Sequence, residues 1–552
     1  MPYVPSAEQQ AVITSEDPVV VVIGGAGAGK TTTAAAGAGR WLAEIDLARV
    51  KARSATQPGS PAVLPPRKRV LFVSFSRTAV SQILDRSAGV LGALRDRVDV
   101  VTFHGLAWRI LNDFGRFYGH PHPLRVQSRA ESDLSVTFPG MTYDELVPAA
   151  HELLAVPTVR DYYERRYGAV ICDEFQDTSD AEWAFIQTIA PSAQRVLLGD
   201  PNQCIYARMK KIDPHARIAE AAALPGAVKF DLPPQSHRDP SGVLPAAALA
   251  ALERRFDDPA IAHAVMTGRV VLHRAPDAAL AEAAVQVVAA ERSAGKAVSV
   301  FTHTHAATAE LSTVLSKAGV DHEQVGFTEA FGDGLQAQFA LLRWALVKQS
   351  GARAALAVYM RSISRGTAEK RFADAVLHET MPAFETELKA VGADLLAAGS
   401  PPNMDEFLDI VAGAHQRLGF PRGEDTWLHS NRQLRRAARV LENGGSMEEL
   451  TRDVEDLRVG TLVGSRAGGP KPVQVMNLHQ TKGREADATV LLLQSDEFHG
   501  YEAEPYATGS RLLYVCLTRA REHAHIVVPN NIHNVHGLWL PFINACIAAQ
   551  RA

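Results

Sequence analysis

The stretch "PVVVVIGGAGAGKTTTAAAGAGRWL", Pro18 to Leu42, constrains the fold of this chain more than any other. A β-branched run suits a strand buried on both faces, the glycines turn the chain, and the Ala-rich continuation suits a helix. Gly24, Gly29, Lys30 and Thr31 satisfy the spacing GxxxxGK[ST]. In that spacing the backbone amides of Gly24, Gly25, Ala26, Gly27, Ala28 and Gly29 curl around phosphates. Lys30 reaches the terminal phosphates, and Thr31, followed by Thr32, can ligate Mg²⁺. The expected class is α/β, with parallel sheets flanked by helices.

A second stretch, "AVICDEFQDTSD", supplies the acids. Tyr167 to Cys172 has the composition of a buried parallel strand, and Asp173 stands at its C-terminal end, where ligands collect in such sheets. There Asp173 can hold Mg²⁺ and Glu174 can orient and deprotonate an attacking water. Capping of the next helix is the structural alternative, and Asp177 or Ser179 suits it, but capping leaves Glu174 unexplained.

The rest of the chain sets limits. Its 552 residues exceed one core and suggest three or four domains. Hydrophobic residues at 46% and charged residues at 21% fit a globular protein. No apolar run is long enough for a membrane span, and "MPYVPSAEQQ" has no signal-peptide pattern. Cys172, Cys204, Cys516 and Cys546 lie far apart, so neither a disulfide framework nor a cysteine zinc cluster is expected, and a cytoplasmic setting fits. The net charge of −4 does not point to a polyanion, so any nucleic-acid groove must carry its positive charge locally.

Two later stretches extend the site. "RVLLGDPNQCIY" ends an apolar run with Asp200 and Gln203, an amide suited to sensing a γ-phosphate. "SRLLYVCLTRAREHAHIVV" combines a helical stretch, Arg511 to Glu522, with the strand "AHIVV", and Arg519, which precedes that strand, could bring a cation from a second domain. A pair of histidines, His303 and His305, would alternate on one strand of "VSVFTHTH". No further ligand is in view there, so ordinary histidines are the better reading.

Together and in this order these stretches resemble the UvrD/Rep family of superfamily 1 DNA helicases. "DEFQD", "GDPNQCIY", "LHQTKGRE" and "YVCLTRAR" are similar to four of that family's signatures. "SAEQQAV" resembles its adenine-reading Gln motif, while "VLFVSFSRTAVSQI" and "VTFHGLAWRIL" resemble segments along the DNA path. The resemblance implies two RecA-like P-loop domains with ATP and Mg²⁺ between them and single-stranded DNA across their top. It further implies that Gln9 reads adenine, that Gln203, Arg238 and Arg519 contact the γ-phosphate, and that Glu485 meets the ribose. Phe75, Arg77, Thr102, Phe103, His104, Arg208 and His479 would lie along the nucleic acid. Phe75 and Phe103 would be base platforms or, alternatively, core aromatics.

This chain departs from the family in three places. His237 in "SHRD" stands where the family has an adenine-stacking tyrosine. "ARMKK" follows "GDPNQCIY" where the family has a tryptophan, leaving Arg208 to stack and Lys210 and Lys211 to meet phosphates. The insertion in the second domain is short. The expected division is a first RecA-like domain over 1–230, with a helical insertion at about 106–165. A second RecA-like domain follows over 231–347 and 473–552, interrupted by a helical subdomain at 348–472.

Within that subdomain Arg432, Arg435, Arg436 and Arg439 form one helical stripe, suited to duplex DNA or simply to solvent. No acidic cluster with a lysine follows "TRARE", so no fused nuclease is expected. The expected activity is ATP-driven 3′–5′ movement on single-stranded DNA and at its junctions with duplex, by a monomer or weak dimer, alongside repair or replication proteins. The alternatives are a translocase that does not unwind alone and a nucleotide-switched scaffold for such a partner.

Overall fold

The computed structural model describes residues 4–55, 67–75, 89–122, 124–136, 140–325, 328–364, 366–398, 404–463, 471–495, 508–535 and 539–551. It forms two compact units, one from 1–106, 150–325 and 468–552, the other from 107–149 and 326–467.

The first unit holds two six-stranded sheets in which every pairing is parallel. The strands of the first sheet are β1 (Val19–Ile23), β2 (Arg69–Ser74), β3 (Val98–Thr102), β4 (Tyr167–Cys172), β5 (Gln194–Gly199) and β6 (Ala227–Asp231). Their spatial order is β3-β2-β4-β5-β1-β6. The valine run of β1 is buried between β5 and β6, as its two-sided apolar composition requires. Burial of such a side chain stabilises by about 1.5–3 kcal/mol. Every residue of β4 is buried, and the strand ends at Cys172, one residue before Asp173.

Two helices frame the phosphate loop, α1 (Ala7–Thr14) and α2 (Lys30–Ala55). A capping box fixes the start of α1. Ser6 Oγ accepts from the Gln9 amide at 3.2 Å, and Gln9 Oε1 accepts from the Ser6 amide at 3.0 Å. The helix after the acidic segment, α3 (Asp180–Thr188), is capped by Ser179 with Glu182 in the same reciprocal arrangement. Asp177 is thereby left for another role.

The second sheet contains β7 (Val270–Ala275), β8 (Val298–Thr302), β9 (Glu323–Gln324), β10 (Val473–Asn477), β11 (Ala486–Leu492) and β12 (Ala520–Pro529). Its order is β9-β10-β8-β11-β12-β7, so β7 has β12 as its neighbour. Helix α4 (Leu280–Ser293) packs on one face through Ala284, Val287 and Val288. Helix α5 (Thr508–Arg519) packs on the other and runs directly into β12. The strand β8 ends at Thr302, and His305 already opens a helix. His303 and His305 therefore do not alternate on a strand as the sequence suggested: Thr304 caps that helix, its Oγ1 accepting from the Ala307 amide.

The second unit is helical. Thr328–Val347, Ala352–Ile363, Met404–Arg417, Glu424–Glu442 and Met447–Val463 surround a core containing Leu335, Phe339, Leu342, Tyr359 and Trp427. Thr328–Val347 belongs to this core because it places Leu335, Phe339 and Leu342 in it, and not to the second RecA-like half expected over 231–347. The short helix Arg129–Asp133, from the earlier insertion, adds Ala130 and Leu134 to the same core. Arg458, with no exposed side-chain surface, joins the two segments. It donates to Glu131 Oε2 at 2.6 Å and lies 3.3 Å from Glu455 and 3.8 Å from Asp333. Among the described residues no helix is long and apolar enough to cross a membrane.

Candidate nucleotide and nucleic-acid site

The loop from Gly24 to Gly29 joins β1 to α2, and two of its glycines are dictated by geometry. Gly27 and Gly29 have φ of +80° and +83°. A Cβ on Gly27 would strike Ser236, and one on Gly29 would press on the Gln9 amide and the His237 ring. Gln9 Nε2 donates to the Ala28 carbonyl at 3.1 Å and lies 3.5 Å from His237 Nε2. The two residues assigned to adenine thus stand together at the end of the loop. Lys30 Nζ donates to the Gly24 and Gly25 carbonyls at 2.5 and 3.2 Å. Thr32 follows, half-buried, in the first turn of α2.

Thr31 Oγ1 donates to Asp173 Oδ2 at 3.3 Å. A hydroxyl beside a carboxylate at the phosphate loop is the donor set a hard divalent cation takes, so the residues present fit Mg²⁺. Burial, with Glu174 adjacent, pushes the Asp173 carboxyl up to about 6. Burial also raises Glu174, but Lys482, Lys30 and Arg519 outweigh it and hold that carboxyl below its ordinary range. Glu174 sits at φ +54°, a left-handed conformation rare for glutamate. Gln176 braces it there, donating to Glu174 Oε2 at 2.7 Å and to Asp177 Oδ2 at 3.0 Å. The Gln176 side-chain carbonyl accepts from the Asp200 amide at 3.1 Å.

The second sheet brings cations to this acidic edge. Arg519 donates to Gln203 Oε1, and Gln203 Nε2 donates to Asp200 Oδ2 at 2.7 Å. Lys482 is paired with Asp177, and its Nζ is 4.0 Å from Glu174 Oε2. Burial works against the Lys482 charge, yet Asp177 and Glu174 lift its pKa to about 12. Arg238 donates to Glu485 Oε2 at 2.7 Å and to the Thr518 carbonyl, and Arg521 donates to Glu485 Oε1 at 2.6 Å. Glu485, expected at the ribose, is thus held between two arginines.

The residues assigned to nucleic acid are less uniform. Phe75 is half-buried, with Lys210 Nζ 4.2 Å from its ring centroid. Phe103 is 1% exposed and lies 4.9 Å from Phe75, so it supports Phe75 from the core and offers no ring face of its own. Thr102 caps the helix Phe103–Phe114, its Oγ1 accepting from the Gly105 amide at 3.0 Å, and His104 follows, half-buried, in that first turn. The His479 carbonyl accepts from Tyr206 Oη, which ties the turn after β10 to the "GDPNQCIY" segment. Lys210 donates to Glu182 Oε2 at 2.8 Å, which neutralises the charge assigned to a phosphate. Arg77 and the side chain of Arg208 lie outside the described residues.

Lys482, Gln176 and Ser236 are parts of the site to which the sequence alone assigns no role. Each lies inside a quoted motif, so the signal was present, but its partner is 24 to several hundred residues away.

A phosphate loop, an acid pair at a strand end and cations delivered from a second parallel sheet define a P-loop nucleotide site of the RecA-like class. Residues 8–208 match the family described as AAA domain. A stretch of 108 residues is 34% identical to DNA helicase II of Escherichia coli (strain K12), covering 19% of this chain and 15% of that protein. Another of 133 residues is 26% identical to the exonuclease/helicase subunit RexA of Streptococcus pneumoniae serotype 4 (strain ATCC BAA-334 / TIGR4), covering 22% of this chain and 10% of that protein. The chain therefore spans less than a sixth of the length of either relative. These matches support the resemblance to UvrD/Rep-type helicases over part of the chain.

Proposed function

We propose that this chain is an ATP-dependent motor that moves along single-stranded DNA, expected 3′ to 5′, and opens duplex ahead of it. The observation that carries the reading is the meeting of Lys30, Asp173 and Glu174 from the first sheet with Arg519 and Lys482 from the second. A nucleotide held at such a junction has its hydrolysis coupled to the position of two sheets.

In this reading Gln9 and His237 take the adenine, and the loop amides with Lys30 take the phosphates. Thr31 and Asp173 would hold Mg²⁺, which when bound supplies charge neutralisation on the phosphate oxygens. Glu174, kept ionised by its three cations, accepts the proton of the attacking water. Arg238 and Arg519 stabilise the charge that develops on the γ-phosphate, and Gln203 reports its loss to Asp200. Phe75 gives the DNA a stacking face, with Phe103 behind it.

A translocase without autonomous unwinding is the second reading, supported by one observation. Arg435, in the basic stripe, is paired with Asp405 at 2.7 Å and Asp409 at 2.6 Å, which leaves Arg432, Arg436 and Arg439 as its exposed members.

Steady-state ATP hydrolysis with and without a single-stranded oligonucleotide, with Glu174→Gln as control, tests the proposal. DNA stimulation abolished by the control supports a motor, and strand displacement from a 3′-tailed duplex separates the two readings. Hydrolysis indifferent to DNA would sink both, and no hydrolysis at all would favour a nucleotide-switched scaffold.

A further inference from the structure

The second sheet carries a cluster of metal-ligating side chains that the nucleotide site does not use. His523 and His525 are two apart on β12 and so face the same side of the sheet, toward α4. The last turn of α4 delivers Glu291 onto them. Glu291 Oε1 lies 2.9 Å from His523 Nδ1 and 2.9 Å from His525 Nε2. One ligand atom from each of the three lies within 4.8 Å of the others.

The surroundings add what a ligand set needs. His273, on the neighbouring strand β7, places Nε2 3.0 Å from His525 Nδ1. That contact occupies His525 Nδ1 and leaves its Nε2 aimed at Glu291, so His273 takes the place of the outer hydrogen-bond partner that orients a metal-bound histidine. His525 and Glu291 are buried, while the His523 side chain is 34% exposed and opens a path from solvent.

A cation already touches this cluster. Lys296 Nζ is 3.2 Å from Glu291 Oε2, 3.1 Å from His523 Nδ1 and 3.0 Å from Glu522 Oε2. The ammonium sits on a flexible four-carbon stem and can swing to solvent, so a more strongly bound cation can replace it. Two imidazoles and a carboxylate are a borderline-soft set that favours zinc-class ions over Mg²⁺ or Ca²⁺, which prefer oxygen ligands alone.

We propose that Glu291, His523 and His525 bind a divalent transition-metal ion of the zinc class, with the fourth position open to water and Lys296 as the group displaced. The ion clamps α4 to β12, the strand that continues directly from Arg519. Its role is to hold that strand in place, and it takes no part in hydrolysis.

The test is titration of chelator-stripped full-length protein with Co²⁺, read by visible absorption and followed by displacement with Zn²⁺. The expected result is one four-coordinate Co²⁺ per chain, unchanged in Asp173→Asn, which separates it from the nucleotide site. Lys296→Met removes the competing ammonium and should tighten binding about tenfold, while His525→Ala and Glu291→Gln should weaken it about 100-fold. Circular dichroism checks that each variant is folded. Absence of a four-coordinate spectrum in both the wild type and a folded Lys296→Met protein overturns the proposal, as does unaltered binding in folded His525→Ala.

Discussion

Arg519 donates to the side-chain carbonyl of Gln203, and the amide of Gln203 in turn donates to Asp200 at 2.7 Å. One hydrogen-bonded line thus runs from the end of α5, which packs on the second sheet, to the turn after β5 in the first. A lysine is not an equivalent replacement, because it carries a compact ammonium in place of the planar, delocalised guanidinium. Arg519→Lys should lower kcat for ATP hydrolysis by about 10³-fold while leaving nucleotide affinity within about threefold. Nucleotide binding by fluorescence and steady-state hydrolysis measure the two separately. A kcat close to that of the wild type would remove Arg519 from the γ-phosphate.

Lys482 and Asp177 form a buried ion pair, with side chains 4% and 0% exposed. Removing one partner strands the other charge in the interior, at a cost of about 3–5 kcal/mol. Lys482→Met should therefore destabilise strongly, and the double variant Lys482→Met, Asp177→Asn should recover much of the loss. A double-mutant cycle on denaturant midpoints reads the coupling, and additive effects would show the pair to be unimportant.

Arg458 in the helical unit makes the same argument at another place. It serves Glu131, Glu455 and Asp333 at once, from full burial. Arg458→Met should cost about 3–5 kcal/mol, whereas Arg435→Ala, at a half-exposed pair, should cost about 1 kcal/mol or less. Urea unfolding followed by tryptophan fluorescence compares them, and equal costs would contradict the difference in burial.

Asp99, on β3, accepts from Arg69 at 2.6 Å, Arg166 at 2.9 Å and Tyr167 Oη at 2.8 Å. Burial raises its pKa, but these three donors outweigh it and hold the carboxyl below its ordinary value. Between the folded value and the ordinary one the unfolded chain binds more protons. The stability Asp99 contributes is therefore complete above the ordinary aspartate range and is lost as pH falls through the depressed value. The stability gap between wild type and Asp99→Asn should be constant from about pH 6 to 8 and shrink below about pH 4. A gap that widens on acidification would reverse the assignment.

The local parts of the site were legible because their signals are local. The phosphate loop has a fixed spacing, and the run from Tyr167 to Cys172 is apolar throughout before it meets Asp173. Long-range partnerships were not legible. Nothing in "DEFQD" announces that Asp177 meets Lys482 or that Gln176 spans to Asp200. Phe103 shows the same limit, since a ring beside a strand has one sequence and two destinations, and here it went to the core. Two of the chain's His-x-His stretches make the point: the one at 303–305 begins just past a strand end, and the one at 523–525 lies within a strand. Only the second can present both rings to one side, and the strand boundary that decides between them is set by tertiary packing and not by the three residues themselves.

The position of β7 has a consequence for the chain during its synthesis. This strand ends at Ala275, and its partner β12 begins at Ala520. At about 5–20 residues per second, β7 spends roughly 12–50 s outside the ribosome before the strand that covers its edge is made. Throughout that interval it offers unpaired backbone groups beside the apolar side chains of Val270 and Leu272. The helical unit, encoded in between, can complete most of its own core in that time. The second sheet thus waits on Ala520–Pro529 for its completion, and a slow codon stretch before Ala520 lengthens the period in which β7 must be kept from other strands.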